Sequence, residues 1–249
     1  MKKVKAVGFD FVNTLVIIKN EALRKAFDSL VESLKESGIS VDPVAFRDTY
    51  SKSAAAHMAN SRKSGIETHN RFWISEALCS FGHNISPYDK KVDSGVAAYF
   101  GSFVSMSELI PGTKEMLLML KEHFPLALLS NFTHSSAVLD IIKHFGLSKF
   151  FSQIIISGEF GYCKPHPAIF LHMAKGFGFA PEEILYIGDD PEPDIYGALS
   201  VGMQAVWFAF VEENNIPRAP GYAPQGTVKA PAAVKRITSW EELYPFLLL

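Results

Sequence analysis

Residues 7–16 read "VGFDFVNTLV". An apolar strand, placed at Val4 to Phe9, runs into Asp10 and breaks at Asn13 and Thr14. A carboxylate at the C-terminal end of a buried strand lies where open α/β sheets carry their chemistry. Two residues on, where a second acid would serve catalysis, stands Val12.

Further runs of the same kind follow. They are "LALLSN" (126–131), "QIIISGE" (153–159), "ILYIGDD" (184–190) and "QAVWFAF" (204–210), with a weaker "AVKRITS" near the end. Between them lie segments of helical period: "GTKEMLLMLKEH", "SSAVLDIIKHFG" and "HPAIFLHMAKGFG". The glycines of "HFG" and "GFG" are helix stops. Strands alternating with helices imply an α/β fold with a parallel sheet covered on both faces. Residues 217–231, rich in Pro and Gly, read as irregular surface, and "WEELYPFLL" as a short terminal helix.

From about Glu21 to Val104 the pattern changes. "NEALRKAFDSLVESLKESG", "VDPVAFRDTYSKSAAAHM" and "ETHNRFWISEALCSFG" are amphipathic at helical spacing and contain no clear strand. The chain therefore divides into a core of residues 1–18 and 106–249 and an all-helical insertion of residues 19–105. Linkers are expected near Val16 to Asn20 and Ser105 to Pro111, and "NSRKSG" (60–65) reads as a loop.

Composition excludes several classes. The 249 residues are 48% hydrophobic and 20% charged, with a net charge of −2, so neither nucleic acid nor a membrane surface is an expected partner. The two cysteines, Cys79 and Cys163, fit neither a metal cluster nor a disulfide framework. No apolar run is long enough to span a bilayer. The basic start "MKKVKAV" meets Asp10 at once, without the apolar stretch of a secretion signal, so a cytoplasmic enzyme is expected.

The strand ends carry residues that make sense together: Asp10, then Ser130 and Asn131, then Lys164 in "GYCKPHP", then Asp189, Asp190 and Asp194 in "GDDPEPD". In a parallel sheet these ends face one crevice. The set suits phosphoryl chemistry. A divalent ion on Asp10 and Asp189 would cancel the charge that keeps an anionic nucleophile from a phosphate. Ser130 would bind phosphoryl oxygens, and Lys164 would add an orienting positive charge.

These segments resemble the four motifs of the haloacid dehalogenase superfamily: "FDFVNTL", "LLSN", "CKPHPAIF" and "IGDDPEPDIYGALSVGM", in the family's order. The helical insertion is similar to the family's first cap type. The resemblance implies a Rossmann-like core with an inserted all-helical cap domain. It implies Asp10 as nucleophile, an aspartyl-phosphate intermediate, and Mg²⁺ held by Asp10, the Val12 carbonyl and Asp189, with Asp190 or Asp194 contributing. The expected substrate is a small phosphorylated metabolite.

Val12 departs from the pattern, because most phosphatases of the family place there the aspartate that protonates the leaving group. Losing a general acid–base slows a reaction by about 10²–10⁴. Substitutes would be His57, His69, His134, His166 or a water on Mg²⁺. Asn13 stands where glycine is usual, and Asn tolerates left-handed backbone. Three other readings follow: a catalytically weak relative that binds a phosphorylated ligand or partner, a 2-haloacid dehalogenase, or a phosphonatase with Lys52 as Schiff-base lysine. Taken singly the residues have plainer roles. Ser130 and Asp194 suit helix caps, Lys164 and "SRKSG" suit solvated loops, His57 suits a helix surface, and Phe72 and Trp73 suit the core of the insertion.

Overall fold

The structure is a computed structural model that describes residues 3–217 and 228–247. Strand β1 (Ala6–Phe9) leads to a short β2 (Val16–Ile18). The chain then runs through helices α1 (Asn20–Glu36), α2 (Pro43–Ser64), α3 (Asn70–Cys79) and α4 (Lys90–Phe100) and returns as β3 (Ser107–Leu109). Next come α5 (Thr113–Lys121), β4 (Leu126–Ser130), α6 (Ser135–His144), β5 (Gln153–Ile156), the single turn α7 (Ser157–Phe160) and α8 (Pro167–Phe177). Strands β6 (Ile184–Gly188), β7 (Gln204–Phe208) and β8 (Lys235–Ile237) complete the core.

Six strands form one parallel sheet in the order β5–β4–β1–β6–β7–β8. Strands β1, β4 and β6 are buried at every position. Their sequences are accordingly apolar on both faces rather than alternating. Val7, Phe9, Leu128 and Ile187 pack with Met116 and Leu117 of α5 and Val138 and Ile141 of α6. Ala6, Leu129 and Tyr186 face the other way, onto Ile169, Phe170 and Met173 of α8. The reversal of chain direction around β1 places the crevice at its C-terminal end, beside Asp10.

The insertion is built of four helices, with α1 against α4 and α2 against α3, and among the described residues its one extended contact is the bridge of Ile66 to Tyr162. Its centre is aromatic: Phe27, Phe46, Tyr50, Trp73 and Tyr99 are buried together. Phe72 packs at the edge of this cluster. Asp42 caps α2 by accepting the Ala45 N–H at 2.8 Å, with Pro43 at the first helical position.

Some elements differ from the sequence expectation. The stretches expected as linkers are strands: Val16, Ile17 and Ile18 pair antiparallel with Leu109, Glu108 and Ser107. All three residues of β2 are buried, so apolarity rather than chain flexibility governs this junction. "NSRKSG" is not a loop but the last turn of α2, closed by Gly65 in left-handed conformation. Arg62 and Lys63 read as loop because they lie on that turn's solvent face, where helix and loop share the same polar composition. "QIIISGE" is strand only to Ile156, and "ILYIGDD" only to Gly188. "WEELYPFLL" is a 3₁₀ turn, Trp240–Glu242, followed by a helix, Leu243–Leu247. Most of the Pro- and Gly-rich segment 217–231 lies outside the described residues. No helix among the described residues is long and apolar enough to cross a membrane.

Candidate active site

Asp10 leaves the end of β1 with its backbone N–H donated to Ile187 O at 2.9 Å. The turn that follows is tight. Leu15 and Val16 donate their N–H groups to Phe11 O, and Asn13 N–H reaches Val16 O. Asn13 takes φ +66°, the left-handed region that asparagine tolerates. Thr14 Oγ1 donates to Asp10 Oδ2 at 3.1 Å, which fixes one carboxylate oxygen.

The other oxygen, Oδ1, is 2.6 Å from Lys164 Nζ. Far from being a solvated loop lysine, Lys164 is 4% exposed. Its ammonium also reaches Asp194 Oδ1 at 2.7 Å, Tyr186 OH at 2.9 Å and Leu129 O at 3.1 Å. An ammonium has three protons, so these four acceptors share them. Burial alone would strip the proton from Lys164. The carboxylates of Asp10 and Asp194 outweigh it, and the lysine titrates well above its ordinary value. Burial pushes the Asp10 carboxyl up to about 6; Lys164 pulls against the shift and Asp194 adds to it. Burial likewise holds the Tyr186 phenol protonated, and it donates to Leu129 O at 3.0 Å.

Asn131 joins two of the strand-end loops. Its Nδ2 donates to Lys164 O at 2.9 Å, and its Oδ1 accepts the Lys164 N–H at 2.7 Å. Its side chain therefore braces the lysine loop. Ser130 ends β4, buried, and caps no helix, since α6 begins at Ser135 with His134 at its N-cap.

Asp189 follows β6, with its carbonyl accepting the Trp207 Nε1–H at 2.9 Å. Asp10, Asp189 and Asp194 each offer a carboxylate oxygen, all within 4.8 Å of one another. Three such oxygens are hard donors of the kind Mg²⁺ prefers. With Lys164 as their ammonium partner they leave a formal charge of −2, which one divalent cation neutralises. The residues thus fit the ion. Asp190 stands apart from this group. Its Oδ1 accepts the Glu192 N–H at 3.3 Å and caps the π-helical turn Pro191–Tyr196. Asp194, within that turn, accepts the Asp190 N–H on Oδ2 at 2.9 Å. Gly188 makes this arrangement possible, because a Cβ there would lie 2.4 Å from the Asp194 carboxyl. The helix cap expected of Asp194 is made by Asp190. Val12 is buried, and its backbone bridges to Val16.

The histidines separate clearly. His57 is tied to Glu76 at 2.9 Å within the insertion and stacks on Phe72. His166 caps α8, its Nδ1 accepting the Ala168 N–H. His69 and His134 meet at 3.4 Å where the insertion touches the loop after β4. Burial, with Arg71 and His134 nearby, lowers His69 to about 4. Lys52 is exposed on α2, lining a surface hollow with Ser53 and Glu76. Tyr186 was legible only indirectly: a phenol in a fully buried strand needs a polar partner.

Comparison with known proteins bears on the family and the fold. The chain is 29% identical to a glyceraldehyde 3-phosphate phosphatase of Pyrococcus furiosus over 212 residues, which is 84% of this chain and 82% of the relative. The structure is similar to a 2-haloacid dehalogenase of Pseudomonas syringae, with TM-score 0.69, 21% identity and 98% of both chains covered. It is also similar to a magnesium-bound haloacid dehalogenase-type hydrolase of Bacillus subtilis, described as showing interdomain movement, with TM-score 0.63, 22% identity and both chains covered in full. At such identities these two structures speak for the fold. A family model described as haloacid dehalogenase-like hydrolase matches residues 4–202, and the chain belongs to that family.

Proposed function

We propose that the protein is a Mg²⁺-dependent phosphomonoester hydrolase acting on a small phosphorylated metabolite. The observation that carries the reading is the union of Asp10, Lys164, Asp189 and Asp194 at the strand ends, with three carboxylate oxygens within 4.8 Å of one another. Asp10 is the nucleophile. Lys164 and Thr14 hold its two oxygens and restrict its rotation, so its approach to phosphorus is set before substrate arrives. The Asp10 carboxylate attacks phosphorus and expels the leaving alkoxide, which takes its proton from solvent water; a second water then attacks the aspartyl-phosphate, releasing inorganic phosphate and restoring the carboxylate. A divalent cation held by Asp10, Asp189, Asp194 and the Val12 carbonyl would offset the repulsion between carboxylate and phosphoryl group. Ser130 and the Asn131 backbone N–H bind phosphoryl oxygens, and Lys164 offsets charge that develops on them.

The helical insertion, residues 19–105, acts as a cap domain on a core of residues 1–18 and 106–249. The curated relative's name, a phosphatase of a triose phosphate, supports a substrate of similar size. The acidic cluster favours phosphatase over dehalogenase chemistry. Lys52, exposed beside Ser53 and Glu76, offers no support for Schiff-base chemistry.

The test is phosphate release from p-nitrophenyl phosphate, then from a panel headed by glyceraldehyde 3-phosphate, with Mg²⁺ and with EDTA. Activity that requires Mg²⁺ is expected. A full rate in EDTA would overturn the metal assignment, and no release from any ester would favour a phosphate-binding protein without turnover.

A further inference from the structure

Segment 65–70, the connection from α2 to α3 with the first residue of α3, lies across both loops that build the phosphate-handling side of the site. Cys163 N–H donates to Gly65 O at 2.9 Å, and Glu67 N–H donates to Gly161 O at 3.0 Å. Ile66 bridges antiparallel to Tyr162 between them. The insertion thus pairs, strand-like, with the residues that run directly into Lys164. Gly65 fits there because it has φ +73° and because a Cβ would lie 2.6 Å from the His166 ring.

A side-chain chain runs from the same segment to the other loop. Phe132 N–H donates to Ser157 Oγ at 2.8 Å. Ser157 in turn donates its hydroxyl proton to Glu67 Oε2, while Glu67 Oε1 accepts the Thr68 N–H at 2.8 Å. Donation to a carboxylate strengthens the hydroxyl as an acceptor for Phe132, since successive hydrogen bonds polarise one another. Phe132 directly follows Asn131, whose side chain clamps the Lys164 backbone. Thr133 Oγ1 adds a contact to Asn70 Oδ1, and Asn70 Nδ2 reaches back to Tyr50 OH at 3.1 Å, inside the insertion.

We propose that Glu67 is a positioning residue that latches the insertion onto the core, so that docking of residues 65–70 sets the loops carrying Asn131 and Lys164. Closure then assembles the site as well as covering it. When the segment lifts, Ser157 loses its carboxylate, Phe132 is held less firmly, and the pairing with residues 161–163 is broken. The effect on turnover rests on the phosphatase reading; the latch itself does not.

Hydrogen exchange on the full chain separates the two. In Glu67→Ala, exchange at the Phe132 and Cys163 amides should quicken by about tenfold or more, with core amides away from this contact unchanged. Ser157→Ala should do the same, and the double variant should add little to either. Glu67→Gln, which keeps one acceptor oxygen, should fall between wild type and Ala, and it serves if the Ala variant folds poorly. With p-nitrophenyl phosphate, kcat should drop on the order of tenfold while KM moves less than about twofold. Unchanged Phe132 exchange in both Glu67 variants would overturn the latch. So would a uniform loss of protection across the chain, which marks general destabilisation; altered exchange with an unaltered kcat in an active enzyme would overturn the positioning role. If exchange responds as expected but the wild type cleaves no phosphate ester, the latch stands and the phosphatase reading fails.

Discussion

Replacing Lys164 by methionine tests the electrostatics of the site directly. The ammonium lies 2.6 Å from Asp10 Oδ1 and 2.7 Å from Asp194 Oδ1, and its side chain is 2% exposed. Methionine keeps most of the apolar stem but removes the charge, so two buried carboxylates are left without their counter-ion. Removing one partner of a buried pair costs about 3–5 kcal/mol. The carboxylates can relieve part of this by taking up protons. Burial already lifts Asp10 to about 6 against an ordinary value of 3.8, and without Lys164 it rises further. A carboxyl whose folded pKa exceeds its unfolded one binds more protons folded than unfolded within that interval, so stability falls as pH rises through it. The deficit of the variant should therefore be small near pH 5 and approach its full size near pH 8, roughly.

Urea unfolding in EDTA at both pH values measures the deficit. Mg²⁺ should then stabilise the variant more than the wild type, because the cation supplies positive charge to a cluster that has lost its own. Adding Asp194→Asn should recover part of the loss by removing one of the stranded charges. A deficit below about 1 kcal/mol near pH 8, the scale of a solvent-exposed pair, would refute the reasoning.

Three further outcomes follow from the same geometry. Val12→Asp should accelerate alkyl phosphates far more than aryl phosphates, with a gain approaching ~10²-fold, read from the slope of log rate against leaving-group pKa; a wild-type slope near zero would mean another acid already serves. His69, lowered to about 4 from 6.5, should withdraw stability as pH falls between those values, by less than the shift alone implies because solvent screens a half-buried ring. His69→Asn keeps a capping acceptor for the Arg71 N–H and should flatten that stretch of the stability–pH curve; an unchanged slope would assign it to other groups. Gly188→Ala should displace Asp194, since its Cβ would meet the carboxyl at 2.4 Å, and should weaken the Mg²⁺-induced rise in Tm; an undiminished rise would show that Asp194 is dispensable to the ion.

The central strands β1, β4 and β6 are legible because they are buried on both faces and apolar, and because each runs into a polar residue. Asp10, Lys164 and Asp189 could be placed together on topology alone. The choice between Asp190 and Asp194 could not, since both follow the same strand. It depends on the π-helical turn, which directs Asp190 to a cap and Asp194 into the cluster. Glu67 and Ser157 carried no signal, being ninety residues apart in sequence and joined only by tertiary docking. The β2–β3 ribbon was missed for a related reason. Three-residue strands fall below the length at which periodicity is visible, and their pairing is fixed by the insertion between them.

Val12 shows how a fold can accept the loss of an acid that its chemistry would use. The residue is 7% exposed and belongs to the main core cluster. The turn around it is held by backbone bonds to Phe11 O and by the left-handed Asn13, neither of which needs a carboxylate. The backbone of the turn is therefore independent of the side chain at position 12, although a carboxyl there would give up the apolar packing of Val12. Three of the four candidate histidines are engaged elsewhere or unprotonated. His57 is bound to Glu76, and His166 accepts a backbone N–H on Nδ1. His69, at about 4, carries almost no proton at neutral pH. A carboxyl installed at position 12 would sit largely out of water, which raises its pKa and keeps it protonated, the form a general acid needs. The wild-type site should therefore favour esters whose leaving group departs without help. That ordering is set by the substrate's own acidity rather than by any residue of the insertion.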